Sequence, residues 1–114
     1  MSLHDDRIPL RHMRDHAAEV VALTQTSSRQ ELEESRLFQL ALTRLVEIVG
    51  EAANRVSTQG RRSHPEVPWA KAIAMRNRVI HGYDILDLDM LWDTATLDLP
   101  GLVPILDRIL GSDA

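Results

Sequence analysis

The run Arg76-Asn77-Arg78-Val79-Ile80-His81-Gly82-Tyr83 holds an arginine, an amide, an imidazole and a phenol within eight residues. Arginine is permanently charged and forks onto phosphate oxygens, so Arg76 can stabilise charge that builds up on a phosphodiester under attack. Imidazole titrates near neutral pH, with an ordinary pKa of roughly 6.5, which suits His81 to acid/base work. Asn77 can hydrogen-bond the His81 ring and select which nitrogen is free. Together these groups suit metal-independent cleavage of RNA, where the ribose 2'-hydroxyl is the internal nucleophile and no nucleophilic side chain or cofactor is needed. The competing reading is a polar packing or capping network, because cations at a helix C-terminus are favoured by the helix dipole.

Geometry bears on the choice. With Arg76 to His81 taken as α-helical, Asn77 and His81 stack four apart, whereas Arg76 and His81 point about 140° from one another. One helix converges that pair poorly. Two copies related by a two-fold axis converge it better, so a homodimer with residues of both chains lining one cleft is expected. Gly82 is a natural helix exit, which puts the motif on the last turns of its helix and the turn that follows.

Around the motif the pattern is helical. Asp5 or Asp6 can cap a first helix in which Leu10, Met13, Ala17 and Val20 recur at helical spacing, ending near Leu23. His12 and His16 stand four apart on it, without the glutamate of a metalloprotease helix and without an evident third ligand, and read as an exposed or interface pair. Ser28 with Glu31 is a capping box for a long central helix running to Val56. Its apolar surface is wider than one stripe, and Gly50 inside it points to a close helix crossing. Glu47 and Glu51 border that surface, either solvated or holding an arginine of the motif in place. Residues 57–68, with Gly60, Pro65 and Pro68, read as a loop. Pro68 suits the first position of a third helix whose face carries Trp69, Ile73 and Ile80. Asp84 or Asp87 caps a fourth, with Leu88, Leu91, Trp92 and Ala95 inward. Asp98-Leu99-Pro100 opens a last helix that is kinked at Pro104 or starts only near it. No β alternation or internal repeat is evident, so the fold expected is all-α, a bundle of four to five helices in a single domain over residues 1–114.

Composition narrows the function classes. The 114 residues contain no cysteine, which removes disulfides, thiolate metal sites and cysteine nucleophiles. No apolar run reaches the ~20 residues of a bilayer span, and acids stand where a signal peptide would carry its basic region, so a cytoplasmic protein without membrane partners is expected. The net charge of -4 argues against generic nucleic-acid binding. It is unevenly spread: residues 54–83 carry six cations against Glu66 alone and sum to +5, while the rest sums to -9. Arg61, Arg62, Lys71 and Arg78 in this window are candidate RNA-binding or supporting residues beside the motif, although Arg61 and Arg62 by themselves read as a solvated surface.

The chain resembles the HEPN superfamily and, within it, the HepT-like toxins that pair with minimal nucleotidyltransferase antitoxins. The resemblance is carried by Ile48-Val49-Gly50-Glu51-Ala52-Ala53, by Val67-Pro68-Trp69, by Arg76-Asn77 with His81-x-Tyr83, and by Trp92 followed by Leu99-Pro100. An arginine, four residues, then histidine is unspecific; with the tyrosine and the other pieces in register it is fairly specific. Leu32 stands where relatives often carry an aromatic, and Pro9 and Pro104 make the outer helices less regular. The resemblance implies an all-helical homodimer with Arg76 and His81 as ribonuclease residues, Asn77 as the polar partner, and Tyr83 as the tyrosine that a cognate antitoxin adenylylates. A bulky anionic nucleotide there would block RNA and occupy the arginine. The alternative within the same resemblance is a non-catalytic HEPN module that binds a nucleotidyltransferase partner or its nucleotide through the same arginine, amide and phenol.

Overall fold

The computed structural model describes residues 5–81 and 85–111, and for His81 the backbone alone. Its centre is made by α1 (Arg7–Gln25), α3 (Arg36–Arg55) and α8 (Leu99–Gly111), with α1 packed mainly against the other two. Met13, Ala17 and Val20 of α1 meet Leu42, Val46, Val49 and Ala53 of α3 and Leu99, Leu102 and Leu106 of α8 in one buried cluster. The inward positions recur at three- and four-residue intervals, the period at which a helix returns to the same face. The all-α bundle expected from the pattern is therefore what the chain forms. No helix of the described residues is long and apolar enough to cross a membrane.

The segmentation is finer than the pattern implies. The central helix is two: α2 (Arg29–Glu34) is capped by the Ser28 side chain, and Ser35 leaves the helix with φ -118° and ψ 108° to cap α3 through the Phe38 N–H. Gln39 then donates to the Leu32 and Glu33 carbonyls, satisfying the open end of α2. A second serine able to act as an N-cap is what divides the run. The stretch read as a loop contains α4 (Thr58–Ser63), capped in the same way by Ser57. Asp6 precedes α1, but its side chain does not cap that helix. Its carboxylate instead accepts from the Ser57 N–H at 2.9 Å and the Ser57 hydroxyl at 2.6 Å, tying the start of α1 to the end of α3.

The third helix is also divided, into α5 (Trp69–Ile73) and α6 (Met75–Val79). Ala72, Met75 and Val79 face the core, whereas Trp69, Ile73 and Ile80 are only half-buried. The reason is Gly50. A methyl group there would lie 3.1 Å from the Ala72 carbonyl oxygen and 3.5 Å from that of Ile73, so α3 and α5 cross nearly backbone to backbone and small Ala72 occupies the contact. Beyond Val79 the chain is extended: β1 (Ile80–His81) pairs antiparallel with β2 (Ile85–Leu86), Ile80 opposite Leu86 and His81 opposite Ile85. α7 (Leu88–Asp93), capped by the Asp87 side chain through the Met90 N–H, then runs into α8 through one wide π-type turn, Thr94–Asp98. There the Leu99 N–H reaches the Thr94 carbonyl five residues back. Pro100 follows at once and has no N–H, so the ladder shifts register where it would be interrupted anyway. Pro104 lies inside α8, which starts before it.

Two stability changes follow. Gly50→Val forces the crossing apart and is expected to cost about 1–3 kcal/mol in urea or thermal unfolding. Gly50→Ala gains no stability, because its helix-propensity benefit of up to ~1 kcal/mol is offset by the 3.1 Å approach to the Ala72 carbonyl. An alanine variant more stable than the wild type would contradict the close crossing. Asp6→Ala removes a charged acceptor from two donors and is expected to cost about 1–3 kcal/mol, with Asp6→Asn milder.

Candidate functional site

Arg76 and Asn77 occupy the middle of α6, and both are exposed. The crossing at Gly50 lays this segment over α3, one turn from Glu47. Arg76 Nε donates to Glu47 Oε2 at 3.2 Å, the one side-chain hydrogen bond that Arg76 makes among the described residues. Glu47 is the more buried partner, with 19% of its side chain exposed against 59% for Arg76. Of the two acids expected at this border, Glu47 thus reaches the motif and Glu51 does not: Glu51 accepts from Arg44 at 3.2 Å. Arg44 also lies 3.8 Å from Glu47, so two arginines and two glutamates form one surface network. Arg44 went unnoticed in the sequence, although its positions three and seven residues before the two glutamates place all three on one helix face.

The helix does not continue to His81. Ile80 is extended, with φ -114° and ψ 122°, and its N–H closes the last turn on the Arg76 carbonyl. The Val79 carbonyl receives the Asp87 N–H at 2.9 Å. This bond, with the β-branched pair Val79 and Ile80, ends the helix three residues before Gly82. The expected four-residue stacking of Asn77 on His81, and the 140° divergence of Arg76 from His81, both assumed a helix and do not apply. His81 leaves on a strand instead, in a hairpin closed at its base. Tyr83 and Gly82 lie outside the described residues, as does Asp84.

Among the described residues, three of the six cations of the basic window pair with two acids from elsewhere in the chain. Lys71 pairs with Asp98 at 2.9 Å, and Arg78, half-buried, meets the same carboxylate at 3.5 Å and Met90 Sδ at 3.3 Å. These two cations turn towards the wide turn before α8, not towards Glu47. Arg61 donates from Nε to the Val56 carbonyl at 3.0 Å and reaches that of Asn54 at 3.5 Å, which caps the end of α3. Arg62 is exposed and has no partner among the described residues. The +5 of the sequence window is therefore not a single positive face in space. Asp98, twenty residues from Arg78, carried no signal of this role beyond its place at a helix start.

On α1 the His16 Nδ1–H donates to the His12 carbonyl at 2.7 Å, and the two rings meet edge to face with centroids 6.2 Å apart. No cluster of three or more His, Cys, Asp or Glu side chains among the described residues is arranged to hold a metal ion. Beside the Arg44–Glu47–Arg76 network, α3 leaves apolar side chains in solvent: Leu37 is 79% exposed, and Leu40 and Ala41 are also exposed. By helical spacing they continue the face that carries Arg44 and Glu47.

Comparison with known proteins gives these residues a context. The sequence profile described as ribonuclease HepT-like matches residues 13–109, a span that includes Glu47, Arg76, His81 and Tyr83. A protein of Thermococcus cleftensis named "Probable ribonuclease HepT" is 41% identical over 64 residues, covering 56% of this chain and 58% of that protein. A protein of Methanocaldococcus jannaschii named "Putative RNase MJ1380" is 30% identical over 100 residues, covering 88% of this chain and 92% of its own length. No solved structure matches the chain. With the helical bundle, the motif after the Gly50 crossing and a profile match across nearly its whole length, the chain belongs to the ribonuclease HepT-like family.

Proposed function

We propose that this chain is the toxin of a toxin-antitoxin pair, a cytoplasmic endoribonuclease that works without a metal ion at a site completed by a second copy of itself. Arg76 carries the reading: it stands exposed, held from one side by Glu47, next to the hairpin that leads to His81. The ribose 2'-oxygen attacks the adjacent phosphorus, and the bond to the 5'-oxygen breaks. The products are a 2',3'-cyclic phosphate and a 5'-hydroxyl. Arg76 offsets the charge gathering on the phosphoryl oxygens, and His81 moves the proton from the attacking or to the leaving oxygen. Asn77, exposed beside Arg76, is the polar partner in the cleft.

The exposed apolar residues of α3 support the dimer. Leu37, Leu40 and Ala41 continue the helix face that ends at the Glu47–Arg76 pair, so a second copy seated on them covers apolar surface and brings the two motifs together. Tyr83, two residues after His81, is the off-switch in this reading: a cognate minimal nucleotidyltransferase antitoxin adenylylates its hydroxyl, and the added phosphate competes with RNA for Arg76.

Single-stranded RNA incubated with the purified protein and excess chelator is expected to be cleaved, and Arg76→Ala or His81→Ala to lower the rate by about 100-fold or more. Equal cleavage by His81→Ala would sink this mechanism, and no cleavage by the wild type would leave a module that binds a nucleotidyltransferase partner or its nucleotide. Light scattering is expected to give a dimer at micromolar concentration. Leu37→Glu should shift it to monomer and abolish cleavage while helicity by circular dichroism is kept; an active monomer contradicts the shared cleft.

A further inference from the structure

Arg76 sits on a five-residue helix with most of its side chain in solvent, a setting in which a long side chain samples many rotamers. Glu47 sits on the twenty-residue α3 between buried Val46 and Val49, so its position is fixed by the core. The contact between them is one-sided: Nε of Arg76 on a single oxygen of Glu47 at 3.2 Å. A guanidinium has five N–H donors in a rigid fork, and a bond at Nε leaves the two terminal nitrogens available. A two-pronged ion pair through those nitrogens would have competed directly with a phosphate. Arg44, 3.8 Å from Glu47 and tied to Glu51, supplies a second positive neighbour for the Glu47 carboxylate.

We propose that Glu47 is a positioning residue for RNA cleavage: it holds Arg76 by the Nε–H and presents the outer edge of the guanidinium to the scissile phosphate. The inference rests on the ribonuclease reading above and adds a role for a group that does not touch substrate. Glu47 also places a negative charge close to where a polyanion must lie. It therefore favours turnover while opposing binding, and the two effects separate in kinetics. Removing the carboxylate slows the chemical step because Arg76 is no longer oriented, yet does not weaken RNA binding. A merely structural role predicts a lower melting temperature and a smaller active fraction without that split.

The test measures kcat and KM on a fluorescent single-stranded oligoribonucleotide for the wild type, Glu47→Ala and Glu47→Gln, with thermal melting of each. Glu47→Ala is expected to lose about tenfold in kcat with KM unchanged or lower. Glu47→Gln keeps a neutral acceptor for the Nε–H and should lose only about threefold, again with KM unchanged or lower. Wild-type kcat in Glu47→Ala, or a loss carried by a raised KM, overturns the proposal while leaving the ribonuclease reading intact. Should Glu47→Ala fail to fold, the near-isosteric Glu47→Gln decides, and wild-type kcat in it overturns the proposal. Absence of cleavage by the wild type removes the ribonuclease reading and this inference with it.

Discussion

The approach of α3 to α5 at Gly50 is the constraint on which the rest depends. Two helices carrying ordinary side chains pack with axes 8–10 Å apart. A glycine opposite the Ala72 and Ile73 carbonyls lets the backbones come closer. Two things follow from one missing methyl group. Ala72, Met75 and Val79 reach the core although they sit on segments too short to be stable alone. Arg76, one turn beyond the crossing, falls within hydrogen-bond reach of a carboxylate on a different helix. The contact holding the site is thus a by-product of packing, and site and core share one anchor.

Charge follows a related logic. Cations concentrated in sequence are distributed in space by acids from distant elements, with Asp98 taking Lys71 and Arg78 and Glu47 taking Arg76. Each pair is at least partly exposed, so each contributes little to stability. Their effect is directional: they select which arginines stay turned to solvent on the face next to the hairpin.

Much of this was legible in the residue pattern. The all-α class, the Ser28 cap, an acid cap at Asp84 or Asp87, the close crossing at Gly50 and the pair of border acids Glu47 and Glu51 all follow from local chemistry that acts over one or two helical turns. What was not legible is decided by competition between near-equal local options or by distant partners. Ser35 caps as well as Ser28, so a helix that periodicity runs together is cut in two. Asp6 could cap its own helix but finds better donors at Ser57, fifty-one residues on. Val79 and Ile80 are both tolerable in a helix, yet the helix stops at Val79, whose carbonyl is taken by the Asp87 N–H. Periodicity cannot register a partner that lies elsewhere in the chain.

The hairpin after α6 changes how distance along the motif is measured. A helix advances about 1.5 Å per residue and turns by 100°, whereas a strand advances about 3.3 Å and alternates sides. Since Ile80 and His81 are extended, the spacing from the arginine to the histidine is set partly in helical steps and partly in strand steps. Lengthening the helical part by one residue would rotate everything downstream by about a quarter-turn, a shift a long arginine side chain can absorb. Lengthening the strand part by one would invert the alternation of every residue that follows it in the ribbon. Tolerance to insertion within this short run is therefore uneven, and the boundary between forgiving and unforgiving positions is the Val79 carbonyl, where the Asp87 N–H ends the helix.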